Sequence, residues 1–250
     1  MPLLRNPDRS KLSKRQGHVS VEWYRENGYI PEALKNFFAL MGWAHPEQIE
    51  VFPESEFIKH FDLADVSVRA PIFDLEKLTW MNGVYIRKMP DDEVYDRLLE
   101  YSKIYDQDTY QLLQNDKDYV MQVLPLVKDR METLKLFAET TGYFFTDDYE
   151  IPSERINSLI KDQGSRETFI TQCIEVLENL EYWTVESIEQ SMRAVQQELE
   201  LKPKHAFMTL RFGVTGQKAT PPMFDTMFVL GKEKVIMRLN RTRELITNAD

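Results

Sequence analysis

Five consecutive residues near the start, Lys11-Leu12-Ser13-Lys14-Arg15, set two ammonium groups and a guanidinium around one small hydroxyl. A loop of that composition can follow negative charge as it builds on departing phosphate groups and neutralise it in the transition state. The same five residues also fit an ordinary solvated loop, so their neighbourhood decides their meaning. Other chemistry is sparse. The histidines, His18, His45, His60 and His205, stand far apart in unrelated contexts, and Cys173 is the only cysteine. No glycine-rich phosphate cradle, metal-ligand cluster or Cys/His nucleophile pair is read from these spacings. Cys173 falls on an apolar helical stripe and reads as inert packing.

Elements that position such a loop need a folded chain around it, and 250 residues allow two or three compact units. Apolar residues make up 42% and charged residues 29%, an ordinary globular balance. The longest uncharged apolar stretches, such as Phe37 to Trp43, are too short to cross a bilayer. Met1-Pro2-Leu3-Leu4-Arg5 turns polar at once, unlike a secretory signal. One cysteine excludes an internal disulfide, and the expected location is cytoplasmic.

The net charge is −10, which at first sight argues against a nucleic-acid partner. Its distribution is uneven. Arg5, Arg9, Lys11, Lys14, Arg15 and Arg25 face only Asp8 and Glu22 in the first 25 residues. Between Lys202 and Arg243, nine Lys and Arg residues face Asp225 and Glu233, and the acidic excess lies mostly between Asp91 and Glu150. Such a field can steer a polyanion onto the two basic ends, although basic runs are also common on solvated helix faces.

Helical periodicity dominates. Pro31 opens a helix whose Leu34, Phe37, Phe38 and Met41 share a face, with Gly42 as a stop. The pattern predicts a second helix from Pro125 to about Thr141, ended by Gly142, with Val127, Met131, Leu134 and Phe137 inward. A third starts near Ser165 and buries Phe169, Cys173, Val176, Leu177 and Leu180. Thr184 caps a fourth with the stripe Ile188, Met192, Val195 and Leu199. The last follows Gly231, turns Val235, Ile236 and Leu239 inward, and sets Arg238, Arg241 and Arg243 near its C-terminal end. Val19-Ser20-Val21 and Val84-Tyr85-Ile86 are the best strand candidates, and neither begins a βαβ pattern. Breaks at Lys88 to Asp92 and Asp147 to Pro152 predict divisions at 1–90, 91–147 and 148–250.

The neighbourhood of the basic loop resembles glutamyl-tRNA synthetases of the bacterial type. Their catalytic module ends in a "KMSKS"-type loop, often written Lys-Ile/Leu-Ser-Lys-Arg after Leu-Arg-Asn-Pro-Asp, as Leu4 to Arg15 are here. The resemblance continues at Trp23-Tyr24, Pro31 to Asn36 and Leu40 to Trp43. It resumes at Phe73-Asp74-Leu75-Glu76-Lys77-Leu78-Thr79-Trp80-Met81-Asn82-Gly83, at Thr220 to Asp225 and at Leu230 to Glu233, so it spans nearly the whole chain in order.

The resemblance implies a mainly α chain: a stem-contact region followed by two helical bundles of the anticodon-binding type. It implies that Lys14 stabilises departing pyrophosphate on ATP, with Arg15 also on the ATP side and Lys11 and Ser13 holding the loop. Phe73 to Gly83 would belong to the stem-contact fold, with Leu75, Leu78 and Trp80 as core, Asn82-Gly83 as a turn, and Tyr85 and Arg87 toward the tRNA backbone. Lys128 and Arg130 stand where the family often directs an arginine at the anticodon. A guanidinium suits unstacked bases, since it stacks flat and donates twice. Arg130 reads equally as a surface partner of Glu132 or Glu139. Arg211 and Lys218 represent the basic C-terminal run as phosphate contacts.

The chain departs from the family in carrying no His-x-Gly-His sequence and no nucleotide-binding catalytic fold. It is therefore expected to bind tRNA(Glu), but neither membrane nor DNA. It is expected to bind no cofactor alone, ATP with Mg belonging to a complete ligase. Two readings stay open beside this one: catalysis shared with a separate N-terminal half, and a freestanding, non-catalytic helical tRNA-binding or regulatory module. A glutaminyl enzyme fits less well, because that family reads the anticodon with β-barrels.

Overall fold

The computed structural model describes residues 4–10, 20–67 and 70–247. Among them the chain is mainly α, with 14 α-helices and two short 3-10 turns. β pairing among the described residues is limited to one parallel bridge, Arg5 to Ile72. Two compact units compose the chain, residues 1–139 and 140–250.

The first unit contains α1 (Val21–Glu26), α2 (Pro31–Leu40), α3 (Glu54–His60), α4 (Leu75–Lys88), α5 (Asp91–Tyr105), α6 (Gln107–Asn115) and α7 (Lys117–Val127). Carboxylate and hydroxyl caps start several of them. Ser20 accepts from the Trp23 amide, Asp74 from Lys77, Asp106 from Thr109 and Asp116 from Tyr119. Tyr24, Tyr29, Phe37, Phe73, Leu78 and Met81 form one core cluster, built largely where α2 packs on α4. Among the described residues neither strand candidate forms a strand. Ser20 is an N-cap, Val21 opens α1, and Val84 to Ile86 lie inside α4.

Asn82-Gly83 is not a turn either; α4 runs through both. Asn82 is fully buried, accepts from the Ile30 amide at 2.9 Å and donates to the Glu132 carbonyl at 2.6 Å. Both ends of its amide therefore have partners outside the helix, which removes the local competition that favours turns.

The helix expected from Pro125 to Thr141 is broken. α7 ends at Val127, a 3-10 turn covers Lys128–Arg130, and α8 runs Leu136–Phe145 with Gly142 inside it. Between them, Leu134 donates its amide to the Gly28 carbonyl at 2.9 Å, and Glu132 gives its carbonyl to Asn82. Those two groups are unavailable to a continuous helix, so tertiary bonds override the periodic pattern.

The second unit holds α9 (Ser153–Leu159), α10 (Gln163–Glu178), α11 (Val185–Glu198), α12 (Pro203–Thr215), α13 (Met223–Leu230) and α14 (Lys232–Thr247). Asp162 caps α10, and a capping box between Thr184 and Ser187 starts α11. Most of the expected stripes hold: Phe169, Cys173, Leu177, Ile188, Met192 and Val195 are buried, whereas Val176, Leu180 and Leu199 are only partly so. α14 packs along α10 and against α12. It continues to Thr247, so Arg238 and Arg241 lie mid-helix rather than at its C-terminal end. No helix among the described residues is long and apolar enough to cross a membrane.

Candidate nucleic-acid interface

Lys11, Ser13, Lys14 and Arg15 lie outside the described residues. The remaining candidates divide between the two units.

In the first unit, the end of α4 approaches the 3-10 turn at Lys128–Arg130. The half-buried Arg87 guanidinium points its Nη1 at the Asp129 carbonyl, 3.5 Å away, a long contact. Lys128 has only 17% of its side chain exposed. Its ammonium is taken up by the Asp91 carboxylate and by the Met89 carbonyl at 3.0 Å. Such a lysine ties the 3-10 turn to the start of α5, and its charge is already answered. Arg130 differs. It is exposed, and it forms no hydrogen bond or ion pair among the described residues, so the surface pair with Glu132 or Glu139 is not made.

Tyr85 turns inward. Its hydroxyl donates to the Phe52 carbonyl at 2.6 Å and lies 2.9 Å from Asn36 Oδ1. Burial, aided by the nearby Glu32 carboxylate, pushes its phenol up to about 12. Trp80 does the opposite of what the sequence suggests. Expected in the core with Leu75 and Leu78, it is 45% exposed, while Leu78 is fully buried. It stands seven residues before Arg87, two turns along the same helix face, a spacing that marks it for the surface of Arg87 rather than of Leu78. An exposed indole is a surface on which an unpaired base can stack.

In the second unit, Arg211 is half-buried on α12, with Nη1 3.3 Å from Met208 Sδ. Lys218 is exposed in the segment after α12. On α14 the basic run expected as a phosphate surface is largely engaged by the protein's own carbonyl groups, with Arg238 buried and Arg241 exposed. Lys232 donates to the carbonyls of Glu178 and Leu180, and Lys234 to that of Phe144. Arg238 is 1% exposed, Arg241 donates to the carbonyls of Asp147 and Tyr149, and Arg243 to Asn240. These cations hold chain segments together. The exposed ones in this run include Lys202, Lys204 and Lys218.

The structure also gathers a group that the sequence spacings did not suggest. His45, Glu56 and His60 place ligand-capable atoms within 4.8 Å of one another. The available signal was the i,i+4 spacing of Glu56 and His60 on one helix face.

Comparison with known proteins covers both parts of the chain. Residues 93–243 match the family model described as anticodon binding domain. Residues 1–80 match the model described as tRNA synthetases class I (E and Q), catalytic domain. A glutamate–tRNA ligase of Thermus thermophilus is 37% identical over 242 residues, covering 96% of this chain and 50% of the relative. Glutamate–tRNA ligase 2 of Caldicellulosiruptor saccharolyticus is 34% identical over 244 residues, covering 98% and 50%. The crystal structure of a glutamate tRNA ligase from Elizabethkingia meningosepticum, in complex with its amino acid, matches with a TM-score of 0.82 at 23% identity. That match covers 98% of this chain and 50% of the other, and it supports the fold. The chain spans about half the length of the curated relatives it matches.

Proposed function

Because the chain belongs to the anticodon binding domain family, we propose that it is the tRNA-gripping part of a glutamate–tRNA ligase and binds tRNA(Glu). The observation that carries this reading is the exposed, unengaged Arg130 within the span that matches the family. Arg87, at the end of α4, extends its surroundings, and its Nη1 points at the neighbouring Asp129 carbonyl. Phosphate contacts fall to the exposed lysines, Lys218 among them.

In a complete ligase, glutamate is joined to tRNA at the expense of ATP, with Mg on the phosphates. Lys14, supported by Lys11 and Ser13 and flanked by Arg15, would meet the phosphates there. That loop lies outside the described residues. A nucleotide-binding half, supplied by a separate chain or by further residues of the same one, would complete the site.

Filter binding with transcribed tRNA(Glu) tests the main claim. Affinity should fall as salt rises, because phosphate contacts release counterions. Arg130→Ala should weaken binding by roughly 1–3 kcal/mol, the range for a side chain that holds a base edge. A loss below a few tenths would remove Arg130 from the interface, and the absence of any complex would remove the function. The chain alone should show no glutamate-dependent ATP–pyrophosphate exchange. Exchange above background would mean that the activating half is not required.

A further inference from the structure

His45, Glu56 and His60 come from two segments of the first unit, the turn after Trp43 and helix α3. Glu56 Oε2 lies 3.2 Å from His60 Nε2 and 4.0 Å from His45 Nε2. His45 is 4% exposed, and its Nε2 has no hydrogen-bond partner. A buried polar atom without a partner is costly, so the pocket is arranged for something that would engage it. The ring is held by aromatic neighbours: Trp43 at 5.8 Å, Phe52 at 5.3 Å and the His60 imidazole at 5.3 Å between ring centroids. Those walls fix the orientation of the ring and thin out the water around it.

We propose that His45, Glu56 and His60 bind a divalent ion of the zinc class, with water as the fourth ligand, and so clamp α3 to the turn at His45. Two imidazoles and one carboxylate form a borderline-soft donor set that suits zinc, whereas calcium and magnesium require oxygen. Bonds of about 2.0–2.2 Å in a tetrahedron give donor-to-donor edges of about 3.4 Å. The Glu56–His60 edge is already that short. The His45 edges close by an inward shift of about 1 Å, within the reach of side-chain adjustment on a surface helix.

The proton balance is specific. His45 Nδ1 accepts the Glu47 amide at 3.1 Å, which puts the ring proton of the neutral imidazole on Nε2. An ion at Nε2 displaces that proton to solvent, Nδ1 takes one up, and the Glu47 amide turns away. Nε2 gains a metal bond in place of an unsatisfied N–H, while the new Nδ1–H and the freed amide of the exposed Glu47 are left to water. Lys59, 3.6 Å from Glu56 Oε1 and mostly exposed, swings outward at the rim. α3 buries none of its own residues fully, so it gains more from such a clamp than a well-packed helix would.

The test uses the full chain, stripped with chelator and titrated with Co2+ and then Zn2+. One equivalent of Co2+ should produce the strong visible absorption of a tetrahedral site. Zn2+ should abolish it, and the melting temperature should rise with metal. His60→Ala and Glu56→Gln should each weaken binding about tenfold or more and erase the thermal shift. His205→Ala should change neither. Absence of the tetrahedral spectrum, or binding untouched by both His60→Ala and Glu56→Gln, would overturn the proposal. The shape-preserving Glu56→Gln keeps it falsifiable if His60→Ala disturbs α3.

Discussion

Arg238→Ala should destabilise the second unit by about 3–5 kcal/mol, the cost of breaking a buried charged network by removing one partner. The guanidinium donates to Asp147 Oδ1 from Nε at 2.9 Å and from Nη2 at 2.6 Å. It also donates to the carbonyls of Val214 at 2.8 Å, Tyr143 at 2.8 Å and Thr146 at 2.9 Å. Its plane lies 4.8 Å from the centre of the Tyr149 ring. Asp147 is half-exposed, so its share of the pair is screened by water. The weight falls on the three carbonyls, which would face a cavity without donors. Arg238→Lys should recover little, since one ammonium cannot span acceptors arranged for a planar fork. Urea denaturation followed by circular dichroism measures the loss. A value below about 1 kcal/mol would mean that the orphaned carbonyls find water after truncation.

The second large effect is expected at Gly28. Its φ is +75°, and an added Cβ would sit 2.5 Å from the Lys135 amide nitrogen and 2.8 Å from that of Leu134. Alanine therefore meets both an unfavourable backbone conformation and main-chain atoms that cannot yield as a side chain would. The combined loss should be about 2–4 kcal/mol in the first unit. Gly142 serves as the control. It lies inside α8 with open space where an alanine side chain would stand, so alanine there should leave stability unchanged or raise it by about 0.5–1 kcal/mol. Equal losses at both positions would refute the close approach at Gly28.

What the sequence discloses follows from how local each determinant is. α10 and α11 are legible because their stripes lie within the segment itself: Thr184 caps α11 as expected, α10 starts at Gln163 close to the expected Ser165, and Phe169, Cys173, Ile188 and Met192 are buried as their spacing requires. The break after Arg130 is illegible for the opposite reason. Its causes, the Gly28 carbonyl and the Asn82 amide, are remote in sequence. Asn82-Gly83 looks like a turn until both polar ends of Asn82 are given distant partners. Charge is the least legible property. A count of cations between Lys202 and Arg243 cannot distinguish Lys218, which faces solvent, from Arg238, which is enclosed. Trp80 shows the same weakness for aromatics, since hydrophobicity alone places it with Leu78. At the candidate interface the sequence points to Arg130, but the inward turn of Tyr85 and the tie from Lys128 to Asp91 depend on packing that no spacing encodes.

The short turn that bears Arg130 is fastened on both sides. Lys128 is moored to Asp91 and the Met89 carbonyl before it, while Glu132 and Leu134 are moored to Asn82 and Gly28 after it. A guanidinium on so firm a mounting surrenders only its own rotamers when it meets a ligand, not the freedom of a loop. Preorganisation of this kind shows up mainly as slow release, because little ordering entropy is charged against each contact made.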